Sequence, residues 1–358
     1  MVVPQVALSM LTLVPGGMGG SETYGRELAR ALGGTDEVAV TAYLPANVTG
    51  FAPGLRELHV RSVTSGASTI RRLSTLVSAN LHAREIHAAM NGADVVHFPF
   101  TVPAPRPPRN LPYVQSLLDV QHLDLPNLFS PAERAYRRWF YEGAARGAAI
   151  VITISEFARE RMVDLLHLDP ERIRVAPLGV DLSRFVPNTG ARDPFVLYPA
   201  RGWPHKNHAR LIRAMELLRV EHPQMRLVLT GGGLDALGGL PDWVNRLGLV
   251  SSEELRELYR SASVLAFPSL YEGFGLPPLE AMASGCPVAA SNAGSIPEVC
   301  GDAAVLFDPT DPEAIAAGIS EALARSQELQ ARGIVHSRAF TWDRCRDVHV
   351  AAYRDAIG

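Results

Sequence analysis

Lysine is almost missing from this chain. Of 34 basic residues 33 are arginine, and Lys206 is the single lysine. Such a chain keeps one lysine by chance, or because a compact ammonium with three donors is needed there. Cysteine is scarce as well. Cys286, Cys300 and Cys345 match no metal-ligand spacing and make no even disulfide set, which suits a reducing cytosol. No apolar run reaches the roughly 18 residues that a membrane span needs. The opening MVVPQVALSMLTLVPGG lacks a signal peptide's basic flank and leads into a glycine-rich turn, so it reads as a buried first strand. Large net charge is lacking too, and a formal −3 argues against a nucleic-acid binder. What remains is an ordinary soluble composition, 47% hydrophobic and 20% charged over 358 residues, long enough for two domains.

The most informative stretch is LAFPSLYEGFGLPPLEAMASG, Leu265 to Gly285. An apolar run stops at Pro268, passes a loop holding Gly273 and Gly275, and re-enters a helix at Pro277-Pro278. Proline fits a first helical turn, where its missing N–H loses no partner. Leu279, Met282 and Ala283 share one helical face, and Gly285 ends it. Free amides at that helix start favour an anion. Glu272 and Glu280 flank it, and carboxylates facing a polyol beside amides facing a phosphate suit a sugar nucleotide. A glycine-rich loop of some other α/β enzyme, with Glu280 merely solvated, fits the same residues.

Strand and helix signals alternate through the first half, which implies βαβ units and parallel sheets. Val6 to Leu13 reads as a buried strand, followed by Gly16-Gly17-Met18-Gly19-Gly20-Ser21-Glu22 and a helix Thr23 to Leu32. That turn brings backbone amides to a phosphate, although its spacing matches a dinucleotide G-x-G-x-x-G poorly. A tight turn without a ligand also fits. Ile70 to Met90 reads as one helix, whose Arg71, Arg72 and Arg84 suggest contact with anionic lipid or an acidic acceptor, or a solvated face. Pro99 to Pro112, with six prolines, is a surface loop. Asp119-Val120-Gln121-His122 follows a strand's C-terminal end, where open α/β sheets place ligands. Pro187 to Pro194 is the candidate linker.

After it the alternation restarts. Phe195 to Ala200 is a strand, and Arg201 and Lys206 converge on the loop before a helix, His208 to Glu221. Two cations beside a helix start are what a diphosphate leaving group needs where no metal serves it. A metal-dependent sugar transferase would typically carry Asp-x-Asp, and none occurs. Ser251 and Glu254 form a capping box.

Taken in order, these segments resemble a family 4 glycosyltransferase of the GT-B fold, retaining and metal-independent. The matching residues are Gly16 to Glu22, Ile152 to Phe157, Pro177-Leu178-Gly179-Val180-Asp181, Arg201 with Lys206, and Pro268 to Pro277. Glu280 to Gly285, Pro287-Val288 and Ile296-Pro297-Glu298-Val299 complete the series. Glu272 and Glu280 stand as the family's E-x7-E pair.

The resemblance implies an α/β protein of two Rossmann-like, doubly wound parallel-sheet domains facing a cleft. The boundaries expected are 1–186 with a returning helix at 341–358, and 187–340. It implies that Arg201 and Lys206 neutralise the diphosphate, that Glu280 binds the ribose, and that Glu272 orients the sugar with the amides of Gly273, Phe274, Gly275 and Leu276. Gly19 and Gly20 would approach the phosphates from the first domain. The base would lie near Gly231 and Val250.

Members often carry His before the aspartate matching Asp119; here Leu118 stands there, and His122 follows instead. His122 either serves at the reacting sugar or orders the loop. The Asp-x-Gln-His variant is similar to mannosyltransferase branches and favours GDP-mannose over a UDP- or dTDP-sugar. No cofactor or metal is expected. The acceptor would be a glycan, a lipid-linked or a small molecule, and the location cytoplasmic, with at most peripheral contact at the membrane's inner face. An NAD-dependent oxidoreductase, a GT-B phosphorylase using Lys206 as a pyridoxal phosphate Schiff base, and a non-catalytic sugar-nucleotide sensor are the rival classes.

Overall fold

The computed structural model describes residues 3–188 and 190–358. The chain divides into two units, one running to Leu178 and including Trp342–Gly358, the other spanning Gly179–Thr341. The division falls ahead of the expected boundary at 187. The reason is that the described residues on both sides of position 189 are bonded into the second unit: Val180 N–H donates to Phe340 O at 3.1 Å, and Asn188 N–H to Ser284 O at 3.1 Å. The Arg192 guanidinium adds bonds to the carbonyls of Tyr259, Arg260 and Ala262.

The first unit is built on β1 (Gln5–Ser9), β2 (Ala39–Pro45), β3 (Arg56–Val60), β4 (Val95–Phe98), β5 (Tyr113–Ser116), β6 (Ile150–Thr153) and β7 (Ile173–Val175). They form one parallel sheet in the order β3-β2-β1-β4-β5-β6-β7. Val6, Ala7 and Leu8 are buried, as a central strand covered on both faces requires. One core cluster joins Ala7, Tyr43, Val96 and Phe98 to Leu76, Ala79, Ile86 and Met90. Another lies beneath Met162 and Leu166 of the Glu156–Leu166 helix. The last helix, Trp342–Ile357, packs on β4 to β7 and on the Gly20–Gly33 helix.

The expected single helix from Ile70 to Met90 is two, Thr69–Leu81 and Ala83–Ala89. His82 interrupts them by turning its Nδ1 back to Ser78 O at 2.9 Å, leaving the helical path. The proline-rich segment 99–112 is an irregular crossover of bends and turns between β4 and β5. Ser9 Oγ donates to its Ala104 O at 2.7 Å.

The second unit repeats the plan with β8 (Asp193–Pro199), β9 (Arg226–Thr230), β10 (Val244–Gly248), β11 (Ala262–Phe267), β12 (Val288–Ser291) and β13 (Val305–Phe307). Its parallel order is β10-β9-β8-β11-β12-β13. In both sheets the first and fourth strands are neighbours, so each has a switch point where the strand order reverses, the usual ligand position of an open α/β sheet. Both units are therefore Rossmann-like. Among the described residues, no helix is long and apolar enough to cross a membrane.

Candidate active site

At the switch point of the second sheet, the loops after β8 and β11 leave neighbouring strands. The first carries Arg201 and Lys206, the second Glu272. Lys206 Nζ lies 2.5 Å from Glu272 Oε1, both side chains largely buried. The backbone around them is tied down from several sides. Tyr198 O–H donates to Lys206 O at 2.6 Å and pairs with Ser269 Oγ at 3.1 Å. Leu270 N–H reaches His205 O at 2.8 Å, joining the two loops directly. Asn207 Nδ2 donates to Pro268 O and Pro309 O at 3.0 and 2.7 Å. Burial and the neighbouring Lys206 ammonium push the His205 imidazole down to about 4, against the pull of Glu272, so it stays neutral beside the lysine. The Arg201 guanidinium lies 5.4 Å from the Trp203 ring centroid.

Glu272 sits in a segment folded by Ser295, whose Oγ donates to Glu272 O at 3.0 Å and to Phe274 O at 2.7 Å. The following helix begins at Leu276, one residue earlier than the prolines suggest. Pro277 and Pro278 carry no N–H, so the donors left at this helix start are the Gly275 and Leu276 amides. Gly275 has φ +114°, and a Cβ there would stand 2.6 Å from Ile296 Cδ1. Glu280 accepts from Tyr259 O–H at 2.8 Å. Burial pushes its carboxyl up to about 7, with the tyrosine hydrogen bond acting the other way.

Gly231 lies at the end of β9, where its N–H donates to Gly248 O at 2.8 Å. The Gly231 turn and the segment leading to Val250 are thereby brought together. A Cβ on Gly231 would stand 2.4 Å from Ala200 O, and one on Gly202 2.2 Å from Gly233 O, so the loops after β8 and β9 close only with glycine.

In the first unit the glycine turn follows β1 at that sheet's switch point. Gly19 has φ 60° and caps the Gly20–Gly33 helix without a side chain, while a Cβ on Gly20 would meet open space. His122 occupies a short turn after β5 and is 1% exposed. Its ring is enclosed edge-on by Phe129 and Tyr141, at centroid distances of 6.4 and 6.0 Å. Nε2 stands 3.5 Å from the buried Glu142 Oε1. Burial first, then the Arg137 guanidinium, holds this imidazole below its usual range, against Glu142 and Asp119. Asp119 Oδ1 accepts from Gln121 N–H at 3.1 Å.

Sequence reasoning missed Tyr259, Tyr198, Ser295 and Glu142, which all support residues it had found. Only Glu142 had a signal, an acid directly after the aromatic run Trp139-Phe140-Tyr141. Among the described residues, no group of three or more His, Cys, Asp or Glu side chains is placed to hold a metal ion.

Two family models match successive parts of the chain: Glycosyltransferase Family 4 over residues 18–184 and Glycosyl transferases group 1 over 180–338. The chain is 34% identical to O-antigen chain mannosyltransferase B of Escherichia coli over 233 residues, 58% of this chain and 61% of that protein. It is 35% identical to the MMP alpha-(1->4)-mannosyltransferase of Mycolicibacterium hassiacum over 241 residues, 62% of this chain and 59% of that protein. It thus spans about three fifths of the length of these relatives. Among solved structures, sucrose-phosphate synthase from Thermosynechococcus elongatus matches with a TM-score of 0.80 at 24% identity, covering 98% of each chain. Anabaena HepE, in complex with UDP and glucose, matches with a TM-score of 0.72 at 18% identity over 96% of this chain and 97% of that one.

Proposed function

This chain belongs to the glycosyltransferases that join a Family 4 domain to a group 1 domain, and from that premise we propose that it transfers a hexose from a nucleotide-diphosphate sugar to an acceptor hydroxyl. GDP-mannose is the favoured donor, and the anomeric configuration is retained. The carrying observation is the cluster at the second sheet's switch point: Lys206 on Glu272, Arg201 on the same loop as Lys206, and the Gly273–Leu276 amides leading to Glu280.

In this reading Arg201 and Lys206 take the diphosphate, Glu280 accepts from the ribose hydroxyls, and Glu272 orients the sugar. The base lies by Gly231 and Val250. Gly19 and Gly20, at the start of a helix in the first unit, offer amides that suit an anion. The acceptor oxygen forms its bond to the anomeric carbon on the leaving-group side as the sugar–phosphate bond breaks, and a departing phosphate oxygen takes the proton. The two cations supply the charge that a metal supplies elsewhere, so catalysis is positioning plus electrostatic stabilisation. His122, enclosed and beside Glu142, orders the loop that carries Asp119.

The mannosyltransferase relatives support the donor assignment. A UDP-sugar in the same site is the second reading, which the UDP complex of the Anabaena neighbour favours. The acceptor is a glycan, a lipid-linked molecule or a small molecule, bound on the first unit's glycine-turn side, and peripheral membrane contact belongs to this reading.

Thermal stabilisation by GDP, UDP, dTDP and ADP, each with and without EDTA, tests it. A ligand at 100 times its Kd adds about 2.7 kcal/mol. GDP should give the largest shift, unchanged by EDTA, and GDP-mannose should then yield a mannosylated product. A larger shift with UDP would move the donor to the second reading. Stabilisation by none of the four would end the proposal.

A further inference from the structure

The helix Thr69–Leu81 has two apolar faces. Its inner one, with Leu76 and Ala79, belongs to the core. Its outer one is exposed: Ile70 is 81% accessible, Leu73 60%, Val77 51% and Leu81 77%. At about 100° per residue these four fall within one arc, opposite Thr75 and Ala79. A contiguous apolar stripe of this kind is not ordinary surface scatter, and marks a face meant to be covered.

Charge says by what. Residues 58–84 contain four Arg (61, 71, 72 and 84) and no acid, and 99–118 contain two Arg (106 and 109) and no acid. The first 184 residues as a whole are nearly balanced, with 18 Arg against 17 acids. The excess is local, and the two segments touch. Arg106 N–H donates to Asn80 Oδ1 at 3.1 Å, and His87 Nε2 lies 3.0 Å from Arg106 O. Arg106 and Arg109 line an open groove of about 580 Å³ with Leu111, Phe140 and Trp139, and that tryptophan is 70% exposed. Apolar stripe, flanking arginines and an exposed tryptophan are together the chemistry of an interface-lying helix.

We propose that this face seats on an anionic phospholipid bilayer, with Ile70, Leu73, Val77 and Leu81 entering the headgroup boundary and Arg71, Arg84, Arg106 and Arg109 facing the anionic headgroups. It deepens the proposed function, and rests on it only in naming a lipid-linked acceptor. The N-terminal end of the helix abuts the glycine turn, where Arg72 Nη2 donates to Gly17 O at 3.3 Å. An acceptor held at the bilayer surface is thereby presented beside Gly16–Ser21.

The test is flotation of the whole chain with phosphatidylcholine vesicles, with and without phosphatidylglycerol, and without any donor sugar. The parent should float only with the anionic vesicles and release as salt rises. The double variants Ile70→Glu/Leu81→Glu and Arg84→Glu/Arg109→Glu should each lower the bound fraction about tenfold or more. Melting temperature and the nucleotide-induced shift should be unchanged in both. Equal flotation with neutral vesicles, or variants that float like the parent, would overturn the proposal. A dimer that Ile70→Glu/Leu81→Glu dissociates, with no vesicle binding in the parent, would assign the stripe to a second copy and overturn it equally. Vesicle binding without sugar transfer would count against the enzymatic reading alone.

Discussion

Lys206 and Glu272 neutralise one another across the second sheet's switch point, Nζ to Oε1 at 2.5 Å. The two come from loops after adjacent strands, so the pair ties those loops together at the site. A bound diphosphate would draw the ammonium away and leave the carboxylate to the sugar. Removing one preorganised charge typically costs about 2.7–4 kcal/mol in the transition state. Lys206→Ala and Arg201→Ala should therefore each lower turnover by about 10²–10³-fold while the fold survives. Glu272→Gln should lose activity yet keep its nucleoside-diphosphate stabilisation. Steady-state rates beside thermal shifts separate these outcomes, and near-normal turnover in both cation variants would remove them from the chemistry.

Glu280 gives the site a pH signature. Burial holds its carboxyl up at about 7, whereas an unfolded glutamate titrates near 4.3. If ribose hydroxyls donate to the carboxylate as proposed, nucleotide must expel a proton below pH 7, and affinity should rise with pH up to about 8. Glu280's own contribution to stability runs the other way: between about 4.3 and 7 the folded unit holds a proton that the unfolded chain has lost, so that contribution falls as pH rises through the window, while His205, held down to about 4, works against it. Glu280→Gln should flatten the affinity profile and raise the melting temperature at pH 8, by roughly 2–4 °C per kcal/mol recovered. Calorimetry in buffers of different ionisation enthalpy would count the released proton, and a pH-independent affinity in the parent would sink the assignment.

How much of this was legible is uneven, for physical reasons. Local chemistry reads well: the Ser251–Glu254 capping box is present with both of its bonds, and helix His208–Glu221 has the expected bounds. Glycine and proline fixed the turns that carry Arg201, Lys206 and Glu272. Illegible were features made by long-range contacts. Strand β3, Arg-Glu-Leu-His-Val, lies at a sheet edge, where one-sided burial leaves no apolar run. The break at His82 depends on a side chain turning back to Ser78, which no periodicity encodes. Tyr259 and Glu280 are 21 residues apart, and Glu142 and His122 are 20 apart across a π-helical segment, Arg138–Glu142. The sequence names the reactive groups sooner than the residues that hold them.

The last helix is held to the first unit by a buried polar network, which should make that unit acid-sensitive. His97 Nδ1 pairs with Tyr353 O–H at 2.8 Å and its Nε2 with Ser116 Oγ at 2.8 Å, while Tyr24 O–H meets His349 Nε2 at 2.8 Å. Burial holds both imidazoles low, His349 down to about 4. The unfolded chain takes up protons near 6.5 that the folded one refuses. Stability is therefore full above pH 6.5 and is lost as pH falls from there toward 4, by up to about 1.4 kcal/mol per unit for each histidine. Tyr353→Phe should cost a further 1–3 kcal/mol or about that, since it orphans His97 Nδ1. Melting curves between pH 7.5 and 4.5 check both, taken in a Glu280→Gln background that removes the opposing carboxyl, and a flat profile there would contradict the network's role.

His122 offers the sharpest test of how the first unit contributes. Its ring is walled in by Phe129, Tyr141 and Glu142, and in the proposed reading it acts through the loop it shares with Asp119. His122→Ala would leave a cavity there, and a buried large-to-small change typically costs about 2–5 kcal/mol. Melting temperature and turnover should then fall together, while nucleotide binding by the second unit is untouched. Glu142→Gln keeps the shape, removes the carboxylate that opposes Arg137 at the imidazole, and should shift the pH profile of turnover with little loss of stability. If His122 instead touched the reacting sugar, His122→Gln would lose turnover at an unchanged melting temperature. The ratio of rate loss to stability loss across these three variants thus decides between ordering and contact.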